Sequence, residues 1–498
     1  MIRMFHVARA QSASPLEDCT GAWRLVSPQT IAGFSAVAYS FGRELYKALN
    51  VPVGLIESAW GGTEAELWTS EKALRAMPDF AATIDDMPRR RAEHASAVAD
   101  WAQRLRSADA PWSAFTGDAA VHDGWIEIAT DGQWQGTALA GFDGVAWIRA
   151  KVDVPPDAML MPATLRLGRV DDADATHVNG VLVGESGSVD VERAYKIPAG
   201  VLRAGENTIA IRVLDTGGEG GIRHSLAKLE VGDRKIALRE FRYKSVLPMS
   251  SIPPRPSSNL RSSSTLYNAM IAPLARYRVR GAIWYQGESN VERAYQYRSL
   301  FPAMIADWRK AWGYDFPFYF VQIAPFEYGN GDAPAAELRE AQLMTLAVRH
   351  TGMVVTTDLV DNLRDIHPKN KSDVGARLAL IALARLHGQP AEYSGPIYKS
   401  HRVEGASIRV TFEHAVGLTS SAPLTEFEIA GVDKVFVPAA ARIEGATVVV
   451  SSSRVSNPVA GRFAWRRAPQ PNLANAAGLP ASPFRTDDWP CVTLPAKW

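Results

Sequence analysis

The sequence predicts an α/β protein: a parallel sheet flanked by helices, interrupted by an inserted β-sandwich and followed by a small C-terminal β domain. Three observations predict it. Short apolar runs, "VPVGLI" (51–56), "GAIWY" (281–285) and "GMVVTTDLV" (352–360), alternate with amphipathic helical stretches, the pattern of parallel strands covered on both faces. From about 120 to 235 the chain shows instead the period-two alternation of half-buried strands, in "VAWIRAKVDV", "ATLRLGRV", "ATHVNGVLVG" and "NTIAIRVLD". Beyond about 391, "SIRVTFEHA", "TEFEIAG" and "ATVVVSSS" return to that alternation.

Taken in order, "FSAVAYSFGRELYKAL" (34–49) sets Phe34, Val37, Ala38, Phe41 and Leu45 on one helical face, with Asn50 as its stop. The strand "VPVGLI" runs directly into the polar, glycine-rich "ESAWGGTEAELW". A largely helical segment follows from 70, and the character of the chain changes near 110. Asn179-Gly180 between two β-branched runs marks a two-residue hairpin. "DDADATHVNG" (171–180) lacks the spacing and terminal Glu of an EF-hand loop and reads as a solvated turn. A linker rich in Pro and Ser spans 247–264. Then come the strand "GAIWY", a helix over 292–313 interrupted by Pro302, the strand "FPFYFVQIAPF", a helix over 335–350, the strand "GMVVTTDLV" and the helix "VGARLALIALARLHG". The resulting boundaries are 1–110 and 241–390 for the two parts of the α/β domain, 111–240 for the insertion and 391–498 for the C-terminal β domain. No repeat of fixed period is present.

A chain of 498 residues exceeds one core, and length alone favours about three domains. Lys+Arg 54 against Asp+Glu 53, with no basic run, argues against nucleic acid as a partner. The longest apolar stretches, such as "LALIALA" (378–384), fall short of the roughly eighteen residues of a membrane helix, so no membrane partner is expected. "MIRMFHVARAQSAS" has no apolar core of signal-peptide length. Cys19 and Cys491 fit neither a disulfide framework nor a metal site. The 14 Trp would suit sugar-holding platforms, although core packing is their commoner use. Oligomeric state is not legible.

Ligands of open parallel sheets bind beyond the carboxyl ends of the strands, and three such ends carry chemistry. In "DNLRDIHPKNKSDVG", His367 with Asp365 two residues earlier has the makings of a general base and its orienting carboxylate; alone, such a residue is more often a loop His near a helix N-terminus. In "GLIESAWGGT", Gly61 and Gly62 let the backbone approach a ligand and point an N–H at a developing oxyanion; alone, they are a tight turn. In "AIWYQGESN", Gln286 offers two amide hydrogens, Gly287 frees the backbone and Glu288 adds a carboxylate that can address the His.

Together these blocks resemble the sialate O-acetylesterase family, within the SGNH hydrolases. The resemblance covers nearly the whole chain, through "FSAVAYSFGRELYKALNVPVGLIESAWGGTEAELWTS", "TLYNAMIAPLARYRVRGAIWYQGESN", "DIHPKNKSDVGARLALIALA" and "GLPASPFRTDDWP" in the family's order. It implies an SGNH-type sheet whose β insertion is a galactose-binding-like domain. It implies His367 as catalytic base, Asp365 as its partner, Gln286 as an oxyanion donor, Gly61 or Gly62 as the backbone donor, and Glu288 as a carboxylate beside the His. The implied activity is hydrolysis of acetyl esters on sugars by a Ser-His-Asp/Glu mechanism, with an acetylated carbohydrate as substrate, no cofactor and no metal, in a full-length form that is secreted or periplasmic. One departure stands out. The family's nucleophile lies in a Gly-Gln-Ser-Asn block at the end of its first strand, and this sequence begins after that block. Ser12 in "RAQSAS" lacks the flanking Gly and Asn, so no nucleophile is recognised. A non-catalytic carbohydrate-binding pseudoenzyme and an acetylxylan esterase are the alternatives.

Overall fold

The structure, a computed structural model, describes the chain except residues 108–109, 118–123, 129–133, 135–136, 138, 218–219, 224–226, 252–262 and 330. Most of the expected Pro/Ser linker therefore lies outside the described residues. Two units are present: Met1–Pro88 together with Leu260–Trp498, and Arg89–Asn259. The mixed α/β architecture expected from the sequence is present, with the first unit assembled from two separated stretches of chain.

In that first unit, β1 (Ile2–Val7) pairs antiparallel with β2 (Gly21–Leu25) and parallel with β3 (Val53–Glu57), in the register Ile2 to Val53. A second sheet is wholly parallel: β4 (Ala282–Tyr285) lies against β5 (Phe318–Val321), and β5 against β6 (Thr351–Val354). Helix α1 (Ala36–Leu49) starts where the Ser35 hydroxyl accepts from the Ala38 N–H at 3.3 Å, and stops where Asn50 turns left-handed at φ 52°, as its sequence suggested. The last helix of this unit, here α4, spans Lys371–Arg385 and is capped by Asn370, whose side-chain oxygen accepts from Asp373 N at 3.1 Å. α1 and α4 approach closely at Gly375, where a Cβ would lie 2.6 Å from the Val37 carbonyl. Of the expected α1 face, Val37, Phe41 and Leu45 pack with Val53, and Phe34 and Ala38 pack with Leu55.

Both sheets share the same two cores. On one face Leu45, Val53, Ile283, Tyr319, Val321 and Leu378 pack together under α1 and α4. On the other, Ile56, Trp284, Phe318, Phe320 and Met353 meet helix α2 (Ala294–Trp312) and helix α3 (Ala333–Met344). One expectation is overturned here: Pro302 does not interrupt its helix, which runs unbroken through it to a left-handed Gly313 cap at φ 77°. Burial of Leu300, Phe301, Met304 and Ile305 outweighs the roughly 3 kcal/mol that an internal proline costs.

Residues beyond Ile397 form two four-stranded antiparallel sheets around a core of Ile408, Phe427, Ile429, Val448, Phe463 and Phe484. They remain part of the first unit. Arg485 donates to Glu340 of α3 at 2.7 Å, Thr493 Oγ donates to Glu337 at 2.6 Å, and Trp498 joins the large core beside Phe80, ring centroids 5.8 Å apart.

The second unit holds a six-stranded and a five-stranded antiparallel sheet that share a core of Val, Ile and Leu. The Asn179-Gly180 hairpin is present: Val178 pairs with Val181, and both turn residues have positive φ, 48° and 83°. "DDADATHVNG" is not a solvated turn. Asp174 is fully buried on a strand, its carboxylate held by Arg193 at 2.7 Å and Tyr195 at 3.0 Å. Burial outweighs these partners and holds its pKa above the usual carboxylate value. Arg193 sits 19 residues away, beyond the reach of local pattern. Among the described residues, no helix is long and apolar enough to cross a membrane.

Candidate active site

The loops after β3 and β4 are stitched to each other. Strand β4 ends at Tyr285, and Gly287 then turns the backbone at φ 155° into a short 3-10 turn over Glu288–Arg293. A Cβ at Gly287 would lie 2.6 Å from Ile323 and 3.0 Å from Leu338, so only glycine fits between strand and helix. The Gln286 amide donates to Thr63 O at 3.2 Å and to Asn290 Oδ1 at 2.7 Å, while its carbonyl accepts from the Tyr297 hydroxyl at 3.0 Å. Asn290 in turn accepts from Ala65 N at 3.0 Å and donates to the buried Glu66 carboxylate, which also receives Arg293 at 3.2 Å. The loop after β3 is further closed by Thr63, whose hydroxyl donates to Trp60 O at 2.6 Å and accepts from Trp68 Nε1 at 2.9 Å.

This places the residues singled out in the sequence. Gln286 lies at the joint of the two loops with both amide hydrogens engaged. Gly61 and Gly62 sit at the exposed tip, Gly62 at φ 74°, with open space where a side chain would be. No hydrogen bond claims their N–H groups among the described residues. His367 stands on the loop before α4 with its side chain 84% exposed, and its ring nitrogen is 3.7 Å from Asp365 Oδ1. That is beyond hydrogen-bond length; Asp365 instead accepts the backbone N–H of His367 at 2.9 Å. Glu288 sits at the start of the 3-10 turn, where burial raises its pKa against the pull of Lys371, His367 and Arg339.

Sequence reasoning missed two of those cations. Lys371 opens α4 and lays its ammonium over the Tyr285 ring, 5.2 Å from the centroid; burial lowers its pKa while Glu288 and Asp365 oppose the shift. A lysine at a helix N-terminus, where the macrodipole disfavours it, was the available signal. Arg339 is fully buried in α3, donating to the carbonyls of Ile323, Ala324, Arg466 and Arg467, and burial pushes it down to about 10. A cavity of about 490 Å³ opens beside Glu288 and Ser289, walled by Arg293 and Tyr328. Burial also raises the Tyr328 phenol, with the Glu288 charge adding to the effect. Among the described residues, no cluster of His, Cys, Asp or Glu has metal-binding geometry.

A loop imidazole, unclaimed backbone amides and a half-buried carboxylate lie beyond the carboxyl ends of parallel strands, and groups of these kinds serve acyl transfer where they converge. Residues 256–384 match the family described as carbohydrate esterase, sialic acid-specific acetylesterase. Over those residues the chain is similar to that family. The mouse (Mus musculus) sialate O-acetylesterase is 35% identical over 156 residues, 27% of this chain and 29% of its own length. The human (Homo sapiens) sialate O-acetylesterase is 31% identical over 179 residues, 32% of this chain and 34% of its own. The chain thus spans about a third of the length of the curated relatives it matches. A carbohydrate acetylesterase structure from Xanthomonas citri superposes with a TM-score of 0.60 at 26% identity, over 98% of this chain and 73% of that one.

Proposed function

We propose that the protein is a carbohydrate O-acetylesterase of sialate O-acetylesterase type, on an SGNH-type sheet with a galactose-binding-like insertion. The observation that carries the reading is the joining of the β3 and β4 loops through Gln286, which gathers free glycine amides, the Glu288 carboxylate and the His367 loop at one sheet edge. Residues 1–110 and 241–390 are read as the two hydrolase parts, 111–240 as the insertion and 391–498 as the C-terminal β domain.

In this reading a serine hydroxyl attacks the acetyl carbonyl while His367 takes its proton. The tetrahedral oxyanion is met by the Gly61 or Gly62 N–H and by the Gln286 hydrogen now resting on Thr63 O, the longer of its two bonds. Collapse expels the sugar oxygen, which recovers the proton from His367; water then attacks the acyl-serine by the same route and acetate leaves. Asp365 or Glu288 orients the imidazole. Two serines are already engaged: Ser58 Oγ donates to Met270 O at 2.9 Å and Ser12 Oγ to Ser14 O at 2.5 Å. The resemblance, rather than any serine described here, places the hydroxyl in the family's upstream block. The second reading is a carbohydrate-binding protein without turnover.

Acetate release from a panel of acetylated sialic acids and acetylated xylan, by a form of the protein that carries the upstream block, tests both. His367→Ala should lower kcat about a thousandfold or more. Turnover within a few fold of wild type would remove His367 from the mechanism, and binding without any acetate release would favour the second reading.

A further inference from the structure

An amide side chain has nearly the same outline whichever way round it lies, so the shape of its surroundings does not decide where Gln286 puts its nitrogen and where its oxygen. For an oxyanion donor that choice decides the chemistry. Reversed, the side chain would aim a carbonyl oxygen at the developing negative charge. The Tyr297 hydroxyl, 3.0 Å from Gln286 Oε1, can donate or accept and so takes no side. Thr63 O only accepts, at 3.2 Å, but it is the partner from which a hydrogen would be lent to the oxyanion, and its hold ends at that moment. What still holds the nitrogen then is Asn290 Oδ1, at 2.7 Å.

Asn290 is itself an amide and carries the same ambiguity, yet each of its ends meets a group of one polarity. Its Oδ1 lies 3.0 Å from the Ala65 N–H, which only donates. Its Nδ2 lies 2.8 Å from a Glu66 carboxylate oxygen, and Glu66, paired with Arg293 at 3.2 Å, only accepts. Glu66, Asn290 and Arg293 are all buried, so a reversed amide would set like groups against each other away from solvent. Stability alone gives a weak account of the ion pair, since apolar side chains of similar volume often serve a buried site as well or better. Fixed polarity is what such residues cannot supply.

We propose that Arg293, Glu66 and Asn290 form a polarity relay for the site: Glu66 orients Asn290, and Asn290 holds the Gln286 nitrogen toward the loop after β3, with one amide hydrogen fixed and the other available to an oxyanion. Glu66 and Asn290 are thus positioning residues that act through Gln286. The catalytic purpose of the relay rests on the reading of Gln286 as an oxyanion donor; the orientation itself does not.

Moving the carboxylate one place along the relay tests it. Glu66→Gln alone sets two demands against each other, because Arg293 needs the oxygen of the new amide and its NH2 group then faces Asn290 Nδ2. Glu66→Gln combined with Asn290→Asp restores every match: the carboxylate at position 290 accepts from Ala65 N, from Gln286 and from the amide at position 66. The readout is solvent exchange of the two Gln286 side-chain hydrogens, followed by NMR in the 498-residue chain with isotope-labelled glutamine and assigned by their loss in Gln286→Met. Exchange should quicken about tenfold in Glu66→Gln and return to the wild-type rate in the double variant. Unchanged exchange in the single variant overturns the proposal, and so does a double variant that exchanges or unfolds like the single. In a form that releases acetate, Glu66→Gln should lower kcat about tenfold or more with KM nearly unchanged, and the double variant should recover it. A rise in KM alone would make Glu66 part of substrate binding and overturn the relay. The expected exchange pattern without acetate release from any form would strike the esterase reading and leave the orientation of Gln286 by Glu66 and Asn290 standing.

Discussion

Glu288 and Asp365 both reach the His367 loop, and their chemistry separates them. Asp365 has one oxygen committed to the His367 backbone and none within bonding distance of the ring, whereas Glu288 is partly buried and feels the imidazole together with Lys371. In a catalytically active form, Glu288→Ala should therefore cost more kcat than Asp365→Ala; the reverse order would return the orienting role to Asp365. Gly287 yields a second expectation at this scale. Ala there must bear φ 155° and push a Cβ into Ile323, so Gly287→Ala should lose about 1–3 kcal/mol in urea unfolding, and an unchanged midpoint would mean that the turn rebuilds freely. The three strand-end blocks stand out in the sequence because glycine and polar residues follow directly on apolar strands, a pattern that serves a tight turn as well as a site. That Gln286 bonds Thr63 could not be read there, since the partner is set by the meeting of loops 223 residues apart, and Arg339 nears Glu288 through space alone.

Elements were legible wherever local signals governed them. Ser35 and Asn50 bracket α1, and Asn179-Gly180 makes its hairpin, because capping and turn geometry are decided within a few residues. The misreadings have one cause, tertiary burial. It carries α2 through Pro302, and it draws Asp174 from an assumed turn into a strand against Arg193. The same acidic stretch of the second unit has a pH consequence. Asp215, 1% exposed, has one oxygen on Gly217 N and the other without a partner among the described residues. Burial, with the nearby charges of Asp171, Asp143 and Asp172, raises it from 3.8 to about 6. A carboxyl whose folded pKa lies above its unfolded value binds more protons folded than unfolded between the two. The unit should therefore lose stability as pH rises from about 4 to about 6, by up to about 3 kcal/mol, and then level off. Urea midpoints across that range should show the slope in wild type and a flatter profile in Asp215→Asn; parallel profiles would mean that Asp215 is ionised at little cost.

At the scale of the molecule, the C-terminal strands do not stand apart from the hydrolase-like sheets. Arg485 and Thr493 bond α3, the helix that also supplies Arg339, and Trp498 is 5% exposed within the core that backs β4 and β5. Trp498→Ala should cost about 3–5 kcal/mol, read as a lower unfolding midpoint of the first unit, and a surface-sized effect would remove Trp498 from that core. β character from 391 was legible in alternation, but its attachment to the first unit rests on contacts no period reveals. The split of that unit around residues 89–259 also bears on the order of folding events. Thr63 and Gln286 are 223 positions apart, and joining them across a flexible chain of that length would cost about 5 kcal/mol in closure entropy. If the intervening unit condenses first, most of that search is removed before the two loops meet. Residues such as Asp174 and Arg193 would then govern how quickly the site is born during refolding while having no part in its chemistry.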